Sequence, residues 1–245
     1  MLASLRGKIP CIKILNKTDL AEDSITAHWQ AHFEQQPDCV CLLNGRDNKL
    51  TKQDILFATN KLLPNNPGQK LHKQLVIVGI PNVGKSTLLN QIMDRKLAKT
   101  GNEPAITRHQ QRVKLDDVCY LIDTPGLLWP RLDDQAAAYR LACTGTIRNT
   151  AVEAEDIAWF AAELLIKNHK QALQSRYGLE EPINDPELLL RSIAKSRACL
   201  GKGGHPDWHK TAEILLNDFR SGKLGKLSLE SPPQQPSSTQ SDIRQ

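Results

Sequence analysis

The sequence predicts an α/β fold, a mostly parallel sheet with helices on both faces, followed by a small all-α unit. Three observations carry that expectation. Up to about residue 150, short apolar runs rich in β-branched residues alternate with helical patterns, the alternation that builds parallel sheets covered on both faces. Beyond Thr150 the strand signal vanishes and amphipathic helices take over. At Gly79–Ser86 a glycine-bearing loop joins an apolar strand to a helix, a junction that suits an anion.

The elements follow in order. Pro10–Leu15 is apolar and β-branched and stops at the polar turn Asn16-Lys17-Thr18-Asp19, so it reads as a buried strand feeding a loop. Residues 24–36 form an amphipathic helical pattern, Val40–Leu43 a short strand, and Thr51–Leu63 a helix opened by the N-cap residue Thr51. Pro64-Asn65-Asn66-Pro67-Gly68 is a loop by composition. Leu75–Val78 reads as a fully buried strand, Lys85–Met93 as the helix after the glycine loop, and Val118–Ile122 as another strand ending in a polar turn. Glu153–Lys170 is helical; Asp185-Pro186 caps and starts a further helix; Asp207–Phe219 is a third, ending near Gly222. From Ser231 the tail is too poor in apolar residues to fold. The expected domains are 1–148, 149–228 and a disordered tail 229–245.

At 245 residues the chain holds one large domain or two small ones, by the usual allowance of about 100–200 residues each. Its 40% hydrophobic and 24% charged residues exclude disordered and collagen-like classes. The net charge of +5 and pI near 8.9 permit a polyanionic partner without requiring one. The apolar runs, including Ile157–Ile166 with its Glu163, fall far short of the roughly 20 residues that span a bilayer, and Met1–Lys13 lacks a signal-peptide core. The expected location is the cytoplasm, with no membrane partner and no DNA partner. Six cysteines (Cys11, Cys39, Cys41, Cys119, Cys143 and Cys199) form no C-x-x-C pair and no Cys/His cluster, so they read as free, mostly buried thiols.

Gly79-Ile80-Pro81-Asn82-Val83-Gly84-Lys85-Ser86 fits G-x-x-x-x-G-K-[ST] in the strand-to-helix context that pattern requires. Its amides and the helix N-terminus face phosphate oxygens, Lys85 reaches the β- and γ-phosphates, Ser86 holds Mg²⁺, and the expected contacts extend to Thr87. Asp123-Thr124-Pro125-Gly126 follows a strand and has the D-x-x-G form of a GTPase switch. There the Asp123 carboxylate organises the Mg²⁺ shell and the Gly126 amide senses the γ-phosphate. Thr107, in Pro104–Thr107, is the candidate third Mg²⁺ contact, with Thr100 and Thr87 as competitors. Lys85, Thr107, Asp123 and Gly126 are thus the expected catalytic set. Asn16-Lys17-Thr18-Asp19 has the form N-K-x-D. A carboxylate at Asp19 can accept from both N1–H and the 2-amino group of guanine, donors that adenine lacks on that edge, so the loop selects GTP; a capping turn is the plain alternative. Asn44-Gly45 after the second strand is a fifth candidate element on the guanine oxygen, with a hairpin turn as the competing reading.

In ordinary GTPases the phosphate loop precedes N-K-x-D, whereas here N-K-x-D comes first and D-x-x-G last. The order implies a circularly permuted P-loop GTPase domain whose phosphate-sensing loop leads straight into the helical unit, and hence a nucleotide-driven reorientation of that unit. This order, the Pro81-Asn82-Val83 interior of the loop and Asp123-Thr124-Pro125-Gly126-Leu127-Leu128-Trp129-Pro130 resemble the YlqF/RbgA family of circularly permuted ribosome-assembly GTPases, over roughly residues 5–225. The resemblance implies a GTP-hydrolysing factor acting late in maturation of the large (50S) subunit, with the large-subunit precursor and its rRNA as partners and an rRNA-touching helical domain. By motif position it also implies that Asn82 helps bind K⁺ beside the phosphates.

Leu127 stands where Ras-like enzymes carry a water-orienting Gln, so another group must orient water. Members of the family usually begin with a further segment holding an F-P-G-H-M-like stretch and a D-A-R-x-P element. Neither is present here, so a shortened chain lacking a sheet strand and full catalytic rate is expected. His109 is a substitute for the missing histidine, with a solvent-facing loop histidine as the plainer reading. Residues 191–227 carry Arg191, Lys195, Arg197, Lys202, Lys210, Arg220, Lys223 and Lys226 against Asp207, Glu213 and Asp218, a density suited to an RNA backbone. The competing readings are a permuted GTPase of the small subunit, which would call for a zinc-binding Cys/His cluster, and a non-hydrolysing GTP-dependent rRNA-binding scaffold.

Overall fold

The computed structural model describes residues 9–64, 72–95, 111–126, 134–147 and 153–233. β1 (Cys11–Asn16) and β2 (Cys39–Asn44) lie parallel, Cys11 opposite Cys39 and Asn16 opposite Asn44. A 3₁₀ turn (Thr18–Leu20) and α1 (Asp23–Glu34) make the crossover that parallel pairing needs. α2 (Lys52–Leu62) starts where Thr51 caps it: the Thr51 hydroxyl accepts from the Asp54 amide at 3.3 Å while the Asp54 carboxylate accepts from the Thr51 amide at 2.7 Å.

β3 (Lys73–Ile77) leads through the glycine loop into α3 (Lys85–Met93), followed by β4 (Gln111–Lys114) and β5 (Cys119–Asp123). β5 is central, with β3 parallel on one side and β4 antiparallel on the other. The parallel pattern expected of the sheet thus holds for β1–β2 and β3–β5, while the described strands fall into two separately hydrogen-bonded sheets. β4, Gln-Arg-Val-Lys, carries no apolar run by which to find it. Asp116 turns the chain from β4 into β5, its carboxylate accepting from the Val118 and Cys119 amides at 2.9 and 2.7 Å.

One expectation needs correcting. Leu75–Val78 is not buried throughout: Leu75 and Ile77 pack on the core, but Val76 and Val78 are 54% and 51% exposed. β3 has a strand partner on one side only among the described residues and just one covered face, so its side chains alternate.

Two cores result. The first packs Leu88, Leu89 and Ile92 of α3 against Leu121 and Cys119 of β5, Val113 of β4 and Ile55 of α2. The second belongs to α4 (Gln135–Cys143), α5 (Ala154–Asn168), α6 (Lys170–Tyr177), α7 (Pro186–Ser196) and α8 (Trp208–Arg220). Ile157, Ala158 and Leu165 of α5 meet Leu189 and Ile193 of α7 and Leu215 and Leu216 of α8, all almost fully buried. Asp185 and Asp207 cap α7 and α8, accepting from Leu188 and Lys210 amides at 2.8 and 3.0 Å. The helix expected over 153–170 breaks at His169 into α5 and α6. α4 lies before residue 148 yet contributes Ala142 and Cys143 to the helical core.

Inside that core Asp218 is held by Arg176 (2.8 and 3.0 Å), the Tyr177 hydroxyl (3.3 Å) and Lys223 (3.4 Å). The chain then returns to α1: the Leu227 amide donates to the Leu20 carbonyl, Lys226 pairs with Asp23 at 2.6 Å, and the Trp29 indole donates to the Glu230 carbonyl at 3.3 Å. The six cysteines are free thiols; Cys41, Cys119, Cys143 and Cys199 are buried. Burial pushes the Cys41 and Cys143 thiols up to about 11, which keeps them protonated and inert at neutral pH. Among the described residues, no helix is long and apolar enough to cross a membrane.

Candidate functional site

Three loops converge where β1, β3 and β5 end. In the Gly79–Ser86 loop, Asn82 and Gly84 both take left-handed backbone, φ 57° and 97°, which wraps the chain before α3 begins at Lys85. A Cβ on Gly84 would run into the Asn16 amide nitrogen, so glycine is needed for close approach as well as for its backbone angle. Lys85 folds back over the loop, its Nζ donating to the Gly79 and Ile80 carbonyls at 2.9 and 2.8 Å. Burial pulls the Lys85 ammonium below its usual pKa, with Asp123 opposing that shift. Ser86 sits in the first turn of α3 and Thr87 beside it is exposed. A helix start leaves its first amides without intrahelical partners, which favours an anion there.

The β5 loop closes over this cradle. Asp123 is fully buried, and neither of its carboxylate oxygens has a hydrogen-bond partner among the described residues. Burial raises its pKa, Lys85 opposing. The Thr124 hydroxyl donates to the Ile77 carbonyl at 2.7 Å, tying the loop to the end of β3. A Cβ on Gly126 would lie 2.9 Å from the Pro81 backbone and 3.1 Å from Lys85 Nζ, so only glycine lets this loop rest on the phosphate loop. The Asp123 carboxylate and the Ser86 hydroxyl are hard oxygen donors of the kind Mg²⁺ takes, and such an ion would add to the positive charge that Lys85 already sets near the buried carboxylate.

The N-K-x-D residues leave β1 beside it. Lys17 is exposed with φ 58°, and Thr18 and Asp19 begin the 3₁₀ turn. The Asn16 side chain donates to the Val83 carbonyl at 2.7 Å, a bond spanning 67 residues of sequence. Asp19 is met by Arg46, through its amide and its guanidinium, both at 3.2 Å. Gly45 is needed for space, since a Cβ there would be 2.5 Å from the Thr18 hydroxyl oxygen; its own amide donates to the Asn48 carbonyl. Asn44 is buried and turned inward: its amide group donates to Asn16 Oδ1 at 2.6 Å and its oxygen accepts from the Leu50 amide and from Gln91. Thr107, His109 and Leu127 lie outside the described residues.

Three residues that the sequence did not single out take part, Gln91, Arg46 and Gly145, joined by Arg220, which the sequence marked only as one of a basic segment. Gln91 and Arg46 brace the N-K-x-D side. Gly145 accepts from Asn82 Nδ2 at 2.9 Å, and Arg220 of α8 donates to the Cys143 and Ala142 carbonyls, both at 2.8 Å, at the C-terminus of α4. The phosphate loop and the helical unit therefore meet at one polar junction. The basic segment is also largely engaged. Arg191 pairs with Glu187 and stacks on Trp208, Arg197 donates to the Arg176 carbonyl, and Lys223 and Lys226 pair with acids, while Lys195 and Lys210 are exposed.

A family model described as "50S ribosome-binding GTPase" matches residues 74–181. Proteins named ribosome biogenesis GTPase A share 37% identity with the chain in Bacillus cereus, over 91% of this chain and 77% of the relative, and 37% in Bacillus licheniformis, over 95% and 84%. The chain belongs to the ribosome biogenesis GTPase A family. It is a GTPase, as the motifs lead one to expect. Two solved structures, the GDP-bound structure of TM YlqF and GNP-bound YlqF from T. maritima, share its fold, with TM-scores of 0.62 and 0.59. Each is 24% identical and covers 90% of this chain, and 83% and 81% of its own. The comparisons thus agree with the expected permuted GTPase fold with C-terminal helices.

Proposed function

We propose that the chain is a cytoplasmic assembly factor of the large ribosomal subunit that binds GTP with Mg²⁺ at the three converging loops and hydrolyses it while docked on precursor rRNA. The observation that carries the reading is the Asn16–Val83 bond. It ties a loop suited to guanine to a loop suited to phosphates, at a spacing that no single-loop function requires.

Asn16 and Lys17 hold the base-side loop, and Asp19 accepts from N1–H and the 2-amino group of guanine once Arg46 yields. The Gly79–Ser86 amides and Lys85 hold the phosphates, Thr87 adjoining them, and the low local polarity that depresses Lys85 strengthens its attraction to phosphate oxygens. Ser86 and Asp123, with Thr107 as third contact, would hold Mg²⁺, which would supply charge neutralisation at the phosphates. Gly126 brings its amide to the γ-phosphate. Asn82 has its amide nitrogen engaged by Gly145, so Oδ1 is the atom it offers to K⁺.

The partner reading is supported by the family model's description and by the net charge of +5. Within the basic segment Arg191, Arg197, Lys223 and Lys226 have acidic partners; the exposed Lys195 and Lys210 and the Arg191–Trp208 stack are among the groups that the helical domain, 149–228, offers to RNA. The test is GTP turnover with and without purified large and small subunits, in K⁺ and in Na⁺. Stimulation by large subunits and by K⁺ is the expected result. Stimulation by small subunits alone would overturn the partner, tight GTP binding without turnover would mean a scaffold, and equal rates in K⁺ and Na⁺ would remove the role of Asn82.

A further inference from the structure

The guanine-side loop and the phosphate loop stand on separately hydrogen-bonded sheets, β1–β2 and β3–β5–β4, so strand pairing among the described residues does not set the distance between them. A row of three side-chain amides crosses from one to the other, beside the apolar core that the two share. Gln91 of α3 donates through Nε2 to Asn44 Oδ1 (2.9 Å) and to the Leu50 carbonyl (2.7 Å). Asn44, at the end of β2, donates to Asn16 Oδ1 (2.6 Å), and Asn16, opposite it at the end of β1, donates to the Val83 carbonyl (2.7 Å).

The direction of this row is dictated from both ends. Val83 offers only a carbonyl, so Asn16 must present its NH₂ there and its oxygen to Asn44. The Leu50 amide, a donor only, bonds Asn44 Oδ1 at 3.0 Å, so Asn44 must present its NH₂ to Asn16. That leaves Asn44 Oδ1 and the Leu50 carbonyl as two acceptors facing Gln91, which must donate to both. One terminal group meets that demand with its nitrogen, and a carboxylate at the same place would meet it with repulsion. Because Gln91 rides on the helix that begins at the phosphate loop, the row closes a ring from that loop through α3, β2 and β1 back to Val83.

We infer that Gln91 is a positioning residue for nucleotide binding: acting through Asn44, it holds Asn16 and the guanine-side loop at the separation from the phosphate loop that a whole nucleotide spans. It touches neither base nor phosphate, so it governs affinity for guanine nucleotides and leaves the chemical step alone. The inference rests on Asn16–Asp19 as the guanine-reading loop.

The test compares Gln91→Leu, Gln91→Glu and Gln91→Lys in the full chain, with GTP and GDP affinity, kcat, KM and melting of the nucleotide-free protein as readouts. Inorganic tripolyphosphate serves as a ligand that needs the phosphate loop alone. Losing a donor to two acceptors is expected to weaken GTP and GDP about fivefold or more, with kcat at saturation and tripolyphosphate affinity within about twofold of the parent. Lys, a donor of similar reach, restores the affinity. The inference is overturned if Leu and Glu leave guanine-nucleotide affinity unchanged, if tripolyphosphate weakens in step with GTP, or if Lys is as poor as Leu. Asp19→Asn tests the underlying reading separately, since an amide there exchanges guanine for xanthine recognition. Failure of that switch sinks the loop's role, and a successful switch beside a neutral Gln91→Leu sinks the row's.

Discussion

Replacing Arg220 by Met probes the junction between the helical unit and the phosphate loop. The Arg220 guanidinium is held between the Cys143 and Ala142 carbonyls, both at 2.8 Å, and a Cβ on Gly145 would lie 3.3 Å from its Nε. Two hydrogen bonds from a charged donor are worth about 1.5–3 kcal/mol each, roughly 3–6 in all. Burial lowers the guanidinium's pKa, a sign that desolvation offsets part of that gain, and Met keeps much of the apolar stem contact. The expected net loss is about 2–3 kcal/mol, read as a lower urea midpoint at unchanged m. The loss should be local as well as global. The amides of Thr144, Gly145 and Thr146 donate to Arg140, Ala142 and Leu141, and hydrogen exchange at these three should accelerate more than at Leu189 or Leu215. Because Gly145 accepts from Asn82, exchange at residues 82–84 should rise with them, and GTP affinity should fall about threefold to tenfold. A variant that loses global stability while residues 82–84 and GTP affinity stay as they were would refute the coupling. Arg220 would then be a brace for α4 alone.

Three further outcomes follow from the site and the core. Gly84→Ala combines a left-handed residue costing about 1–2 kcal/mol with displacement of the Asn16–Val83 bond, about 1 kcal/mol; nucleotide titration should show a loss on the order of thirtyfold to a hundredfold. Asp123→Asn should lower Mg²⁺-dependent hydrolysis on the order of a hundredfold or more yet raise the melting temperature of the nucleotide-free protein. Burial raises the Asp123 pKa above its unfolded value, so the ionised group weakens the fold increasingly as pH rises past that value, and the gain on substitution should grow over the same range. At Asp218 burial pushes the carboxyl up, but Arg176 and Lys223 outweigh it and hold the pKa below the usual carboxylate value. Its stabilising contribution is therefore fully present above about pH 4 and lost as pH falls through the folded value. Asp218→Asn should cost about 2–3 kcal/mol at pH 7 and flatten the acid limb of a stability-against-pH series.

How much was legible beforehand depended on how local each feature is. The helix after the glycine loop was expected and found at Lys85–Met93, Thr51 and Asp185 cap as their positions suggested, and Asp207, expected as the first helical residue, caps the helix instead. A cap, like a left-handed glycine, is settled by residues within one turn of chain. β4 and α4 went unseen for the opposite reason. Gln-Arg-Val-Lys has no apolar period, and α4 buries only its last two residues, Ala142 and Cys143, fully, with Tyr139 partly buried beside them. The break at His169 was hidden because apolar residues continue on both sides of it.

By itself the sequence marked the three loops assigned to the proposed chemistry and the order in which they come. Gly79–Ser86, Asp123–Gly126 and Asn16–Asp19 are runs whose residue types prescribe backbone shape and charge over a few positions, and permuting the chain does not alter that local prescription. Only the tertiary structure decided what those loops touch. Asn16 reaches Val83 across 67 residues and Asn82 reaches Gly145 across 63, and no period or spacing in a sequence registers bonds of that reach. The same holds for charge: Arg220 and Lys195 are both cations in one basic segment, and the packing of α8 on α4 half-buries the first against two carbonyls and leaves the second to solvent. Partner choice among polar groups is a property of the folded surface, because it depends on which donors and acceptors compaction brings within about 3 Å of each other.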